Sequence, residues 1–205
     1  EAAKLSQVQR FIYISSSAVY GEQTVFPIAE TALLKPLSLY GLSKLLNEQY
    51  AELFAAPDFI CVGLRLFNMF GNWQHPESPY AAVIPKWISQ LENAKPITLF
   101  GDGSATRDFC HVDNLTQAIG QLATASLPAA HNIYNIGSGK ATRLSELSQI
   151  LLRLTKQDPS LITYQPWRAG DILHSCADIK LAQQDFAYEA SVDLESGLRK
   201  MSITS

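Results

Sequence analysis

A tyrosine and a lysine, Tyr40 and Lys44, stand four residues apart, some twenty residues behind the serine run Ser15-Ser16-Ser17. Residues at i and i+4 share one face of a helix. The chemistry that uses this set is proton abstraction from an alcohol. A free phenol ionises near a pH of about 10 and is a poor base at neutral pH. A nearby cation favours the phenolate, and Lys44 supplies one. A serine hydroxyl at a strand end can share the proton. Two arginines, Arg107 and Arg168, are candidate anion clamps, because a guanidinium forks onto phosphate oxygens better than an ammonium does. Ion pairs of Arg107 with Asp108 and of Arg168 with Asp171 are the structural alternatives.

The elements that must position these groups read as an α/β chain. Phe11 to Ser17 reads as a buried strand ending in hydroxyls, and residues 39 to 54 as a helix. Between them Pro27, Glu30-Thr31 and Lys35-Pro36 break any period, so residues 21 to 38 are a loop. Phe59 to Phe67 is a continuous apolar run that fits a central parallel strand, with Asn68 at its carboxyl end. In doubly wound folds ligands bind outside the carboxyl ends of strands. A helix is expected from about Tyr80 to Asn93. Its first turn, with Ala82 and Val83, offers free N–H groups to an anion, and Lys86 adds charge. Ile97 to Phe100 is a short strand, Gly101-Asp102-Gly103 a turn, and Asp113 the expected cap of a helix reaching about Ala125. A strand over Asn132 to Ile136 and an amphipathic helix over Leu144 to Thr155 follow. Short helices start after Asp178-Ile179 and at Asp193-Leu194.

Ser16-Ser17-Ala18-Val19-Tyr20-Gly21, followed by Tyr40-Gly41-Leu42-Ser43-Lys44, resembles the extended short-chain dehydrogenase/reductase family, and within it the nucleotide-sugar 4-epimerases. The likeness continues through Leu64-Arg65-Leu66-Phe67-Asn68-Met69-Phe70-Gly71, Gly101 to Phe109, Tyr134-Asn135-Ile136-Gly137 and Arg168-Ala169-Gly170-Asp171. It implies the C-terminal portion of a Rossmann-like doubly wound parallel sheet plus a smaller α/β substrate-binding domain. The first would take residues 1–70, with returns near 105–136, and the second mainly 71–205. It implies NAD as cofactor, held here by Ser15, Tyr40, Lys44 and Phe67. Tyr40 would take the proton from the sugar 4-hydroxyl, with Ser16 on the same oxygen, Ser17 beside it and a transient 4-keto sugar between the two epimers. Asn68 and Arg168 would meet the substrate diphosphate, and Arg107 suits the same charge. Ala82, Val83 and Lys86 belong to the segment that lies over the nucleotide. Thr98 and Phe100 would pack the uracil base, and Asp171 would bind the uridine ribose. Ser17-Ala18 stand where related dehydratases carry Asp-Glu, which argues against loss of water. Ser175 stands at the position that gates the sugar pocket, and a small residue there goes with 2-acetamido sugars. The resemblance is therefore nearest to bacterial UDP-N-acetylglucosamine 4-epimerases of polysaccharide pathways, with UDP-glucose or UDP-glucuronate 4-epimerases next. The apolar face of the 39–54 helix (Leu42, Leu45, Leu46, Tyr50, Leu53) implies a homodimer.

Composition narrows the rest. Of 205 residues 47% are hydrophobic and 17% charged, enough for a sizeable core. A net charge of −3 gives no footprint for nucleic acid. No run approaches the roughly 18 apolar residues of a membrane span, and no signal peptide is visible. The three cysteines are widely spaced, which suits small buried hydrophobes in a reducing cytoplasm. The four histidines lack metal-ligand spacing, so no metal is expected. No Gly-x-G-x-x-Gly or Gly-x-x-Gly-x-x-Gly loop follows a strand, although family members open with one to cradle the dinucleotide pyrophosphate. The expectation is that roughly a hundred residues or more of the fold are missing ahead of Glu1. A non-catalytic fragment that still binds a UDP-sugar is the reading from another class.

Overall fold

The computed structural model describes residues 1–77, 82–167 and 170–201. In chain order the elements are α1 (Ala2–Leu5), β1 (Arg10–Ser16), a 3-10 turn (Ser17–Val19), α2 (Leu39–Phe54), β2 (Ile60–Leu66), β3 (Asn68–Phe70), α3 (Val83–Glu92), β4 (Ile97–Phe100), β5 (Thr106–Arg107), β6 (Phe109–His111), α4 (Val112–Leu122), β7 (His131–Ile136), β8 (Thr142–Arg143), α5 (Leu144–Thr155), β9 (Ile162–Gln165), α6 (Lys180–Phe186) and α7 (Leu194–Lys200).

β1, β2 and β7 form a parallel sheet in that order. Its register sets Ser15 beside Arg65 and Arg65 beside Asn135. Side chains alternate across a strand, so two faces separate. Tyr13, Ser15, Gly63, Arg65 and Asn135 fall on the face that α2 covers. Val62, Leu64, Tyr134 and Ile136 fall on the other, packed with Ala118 and Leu122 of α4 and Ala182 and Phe186 of α6. A second core lies where α3 and α5 meet: Ile84, Trp87, Ile88 and Leu91 pack with Leu147, Ile150 and Leu151 over Ile97 and Leu99 of β4. The 3.6-residue spacing of the apolar positions in α5 dictates this single buried face.

Small parallel and antiparallel pairs join the two cores. β3 pairs with β6, β4 with β9, and β5 with β8. Strand β4 thus takes a parallel partner far along the chain, and Gly101-Asp102-Gly103 is a turn into β5, not a hairpin. Both glycines have positive φ, the left-handed region that glycine enters without strain. Asp113 is not the cap of α4. His111 is, its Nδ1 accepting from the Asp113 N–H at 3.2 Å, with Asp113 in the first turn, where a carboxylate suits the helix dipole. Cys61 and Cys110 are free thiols and buried, as the sequence suggested, and Cys176 is buried as well. No group of metal-binding side chains occurs among the described residues, and no helix among them is long and apolar enough to cross a membrane.

Candidate active site

β1 ends in the serine run, and alternation decides which serine faces where. The Ser15 hydroxyl is buried under α2 and donates to Glu48 at 2.5 Å. That hydroxyl is engaged in the interior. Ser16 turns to the opposite side. Its Oγ accepts from the Ala18 N–H at 3.2 Å and caps the 3-10 turn, and the residue lines a cleft of about 370 Å³ together with Ser17, Asn68, Arg107, Asp171 and Ser175.

α2 starts at Ser38, whose hydroxyl accepts from the Gly41 N–H at 3.0 Å, a normal N-cap. Gly41 lets this end approach the serine segment closely: a Cβ there would lie 2.6 Å from the Ala18 carbonyl oxygen. The neighbouring Tyr40 is 56% exposed. Lys44 Nζ sits 5.7 Å from the Tyr40 ring centroid and donates to the Ile14 carbonyl at 3.0 Å. Tyr40 and Lys44 thus flank the serine-lined cleft from α2 without being among its walls.

Two further clefts adjoin it through shared wall residues. Asn68 and Arg107 also line a second cleft, of about 290 Å³, with Ala82, Val83 and Ile84. Val83 and Leu144 pass from it into a third, of about 440 Å³, with Lys86, Thr98, Phe100 and Gln165. Residues picked from six separate sequence segments therefore line a series of adjoining clefts, a trench in three parts. Arg107 stands at the first junction. It makes no ion pair with Asp108. Its Nη1 donates to the Thr106 and Leu173 carbonyls at 2.8 and 3.3 Å. Burial pushes its guanidinium down from its ordinary value while Asp171 pulls it up, and a guanidinium keeps its charge in proteins. α3 opens beside it at Ala82 with no side-chain cap, so its first N–H groups remain for an anion. Arg168 lies outside the described residues, as do Tyr80 and Ala81 at the expected start of α3.

Asp108 is turned inward. It accepts from Ser138 N and Oγ at 2.6 Å each, and from Gly139 N and Ala177 N at 3.0 Å each. Phe67 packs in a core with Val19, Tyr20, Ile28 and Ala177. Several wall residues were missed: His174, whose Nδ1 lies 3.1 Å from Thr106 Oγ1, and Gln165, Leu144 and Gly170. No local pattern flags a lone histidine or glutamine in a loop. The adjacency of His174 to Ser175 was the one available signal.

Residues 1–137 match the NAD dependent epimerase/dehydratase family. The chain belongs to this family. A putative UDP-glucose 4-epimerase of Methanocaldococcus jannaschii is 34% identical over 98% of the chain and 64% of its own length. Among solved structures, the UDP-N-acetylglucosamine 4-epimerase of Methanobrevibacter ruminantium M1, in complex with UDP-N-acetylmuramic acid, has a TM-score of 0.90 at 34% identity, covering 98% of the chain and 64% of that structure. MoeE5 in complex with UDP-glucuronic acid and NAD has a TM-score of 0.86 at 31% identity, covering 98% and 66%. The chain thus spans about 64% of the length of the first of these relatives. An NAD dependent family directs attention to the dinucleotide. Tyr40, exposed, and Lys44, anchored beside the end of β1, fit the nicotinamide-ribose end. The pyrophosphate has no glycine-rich loop in this chain to receive it.

Proposed function

We propose that this chain carries the proton-transfer residues and the sugar-nucleotide trench of a UDP-sugar 4-epimerase. The observation that supports this best is the series of adjoining clefts from Ser16 to Phe100, with the cationic Arg107 shared between the first two. A UDP-sugar carries its charge in the middle, a polyol at one end and a flat base at the other. The sugar belongs at Ser16, Ser17 and Ser175. Asn68, Arg107 and the open first turn of α3 take the diphosphate, with Lys86 adding charge. Thr98 and Phe100 take the uracil, which an aromatic ring can stack, while Asp171, which the resemblance assigns to the ribose, lines the sugar-side cleft here.

Tyr40 takes the proton of the sugar 4-hydroxyl, and Lys44 balances the charge left on the phenolate. Ser16 hydrogen-bonds the same sugar oxygen. Tyr40 and Lys44 would hold the nicotinamide end of NAD, which would supply the hydride acceptor and donor for the sugar C4. While the sugar turns over, Arg107 keeps the diphosphate in place, and Tyr40 returns the proton at the end. Ser17-Ala18 offer no acid/base pair for dehydration.

The small Ser175 on the sugar cleft favours UDP-N-acetylglucosamine and UDP-N-acetylgalactosamine as the pair, in surface polysaccharide synthesis. UDP-glucose or UDP-glucuronate is the second reading, supported by relatives of those names. Leu39, Leu42, Leu46, Tyr50 and Leu53 of α2 are exposed, which supports a homodimer through that helix, and three free thiols suit a cytoplasmic location.

The test is Tyr40→Phe in the full-length gene product. Epimerisation should fall by about 10²-fold or more, the usual worth of an acid–base group, while UDP affinity by calorimetry stays within about twofold. Near-normal turnover would sink the mechanism.

A further inference from the structure

Beneath the serine-lined cleft lies a charged cluster that the mechanism does not use. Glu48 and Arg65 are each 4% exposed. The guanidinium grips the carboxylate side-on, Nε to Oε1 at 2.9 Å and Nη2 to Oε2 at 2.7 Å. Its remaining nitrogen, Nη1, donates to the Tyr20 hydroxyl and to the Glu30 carbonyl, both at 2.9 Å. Tyr20 passes its own proton to Asn135 Oδ1 at 2.6 Å. Asn135 in turn donates to the Ile28 carbonyl at 2.8 Å, and its N–H donates to Glu30 Oε1 at 2.8 Å.

The placement of these bonds is what matters. Tyr40, Lys44 and Glu48 occupy successive turns of one side of α2. Lys44 bonds Ile14 and Glu48 bonds Ser15, so two consecutive residues of β1 hold two consecutive turns of the helix. The next residue of β1 is Ser16. Arg65 then ties Glu48 to Tyr20 and Glu30, which lie at and beyond the end of the 3-10 turn, in the connection from the serine run to α2. Beside the Lys44–Ile14 bond and the close Gly41–Ala18 approach, the Glu48–Arg65 pair therefore ties both the helix and the loop to the end of β1.

We infer that Glu48 and Arg65 are positioning residues that set the register of Tyr40 and Lys44 against Ser16, beyond their contribution to stability. This rests on the reading of Tyr40, Lys44 and Ser16 as the proton-transfer set. A buried pair could serve stability alone, and an apolar pair of similar volume would then serve as well, since removing both partners of a buried ion pair is often neutral. Removing one partner leaves an uncompensated buried charge.

The experiment compares the wild-type full-length protein with Glu48→Gln and with the double variant Glu48→Leu/Arg65→Met. Thermal unfolding, UDP affinity, turnover of UDP-N-acetylglucosamine and UDP-glucose, and amide hydrogen exchange are measured on each. The double variant should melt within a few degrees of wild type and keep UDP affinity within about twofold. Its kcat should fall about tenfold or more with KM little changed. Peptides covering residues 39–46 should exchange at least several-fold faster, with those of α5 unchanged as the internal control. Recovery of kcat together with stability in the double variant would overturn the inference, as would unchanged exchange over 39–46. A double variant too unstable to melt near wild type leaves Glu48→Gln to decide, on the same kcat against KM split and the same exchange peptides. If wild type itself shows no epimerase activity on either sugar, the functional reading fails, and the exchange measurement still decides whether the pair sets the register of α2.

Discussion

Asp108 takes both the amide N–H and the hydroxyl of Ser138, each at 2.6 Å. With Gly139 and Ala177 added, four donors converge on one fully buried carboxylate. Burial pushes the Asp108 carboxyl up from its ordinary value, and the four donors act against that. The result is a clasp. It joins β5–β6, which carries Arg107, to the turn after β7 and to the segment that carries Ser175. It also explains Gly137, where a Cβ would come within 2.6 Å of Asp108 Oδ2.

Asp108→Ala should therefore destabilise the protein severely. It takes the acceptor from the buried Ala177 N–H and from the part-buried Ser138 and Gly139 N–H groups, and a buried group left so costs about 1–3 kcal/mol. Urea unfolding should show a loss on the order of 3 kcal/mol or more. A loss under about 1 kcal/mol would mean that the clasp is replaced by water.

Ser175 shares the sugar cleft with Ser16 and Ser17. A tyrosine there would occupy the space an acetamido group needs. Ser175→Tyr should lower kcat/KM for UDP-N-acetylglucosamine by about tenfold or more, because steric exclusion in a pocket discriminates at that level. UDP-glucose turnover should stay within a few-fold. Equal loss on both sugars would show that Ser175 supports the fold and does not select the substrate.

The parts of this structure that follow local rules were readable from sequence. Leu144–Thr155 begins and ends where its apolar spacing says, and the apolar run of β2 and the Ser38 start of α2 came out within a residue or two. Ser16, Ser17, Asn68, Arg107 and Ser175, picked out in the sequence, line one cleft. What escaped depends on pairing at a distance. The two- and three-residue strands β3, β5, β6 and β8 are too short to show a period. That the Ser15 hydroxyl turns under α2 while Ser16 faces the cleft escaped too, because adjacency in sequence hides the alternation of a strand. Glu48, Tyr20, Glu30 and Asn135 gather around Arg65 from across the chain, and the one local hint was a charged residue within an otherwise apolar strand. Histidine is an uncommon helix cap, which is why Asp113 was taken in place of His111.

That cap carries the last prediction. His111 is buried against Phe70, their ring centroids 5.2 Å apart, and its Nδ1 accepts from the Asp113 N–H. Its Nε2 is buried without a hydrogen-bond partner among the described residues. Burial pushes its pKa below the ordinary imidazole value of about 6.5. Asp113 opposes the shift and Lys200 adds to it. The folded state therefore binds the proton more weakly than the unfolded chain does. The stability tied to this neutral imidazole is present above about pH 6.5 and is lost as pH falls through the lower folded value. Protonation also removes the Nδ1 acceptor and uncaps α4. Urea midpoints should thus fall between pH 7.5 and 5.5. His111→Asn keeps a capping oxygen but cannot titrate, so its midpoints should fall less over the same interval. Some slope should persist, because burial lowers His131 as well. An unchanged slope in His111→Asn would assign the acid sensitivity elsewhere.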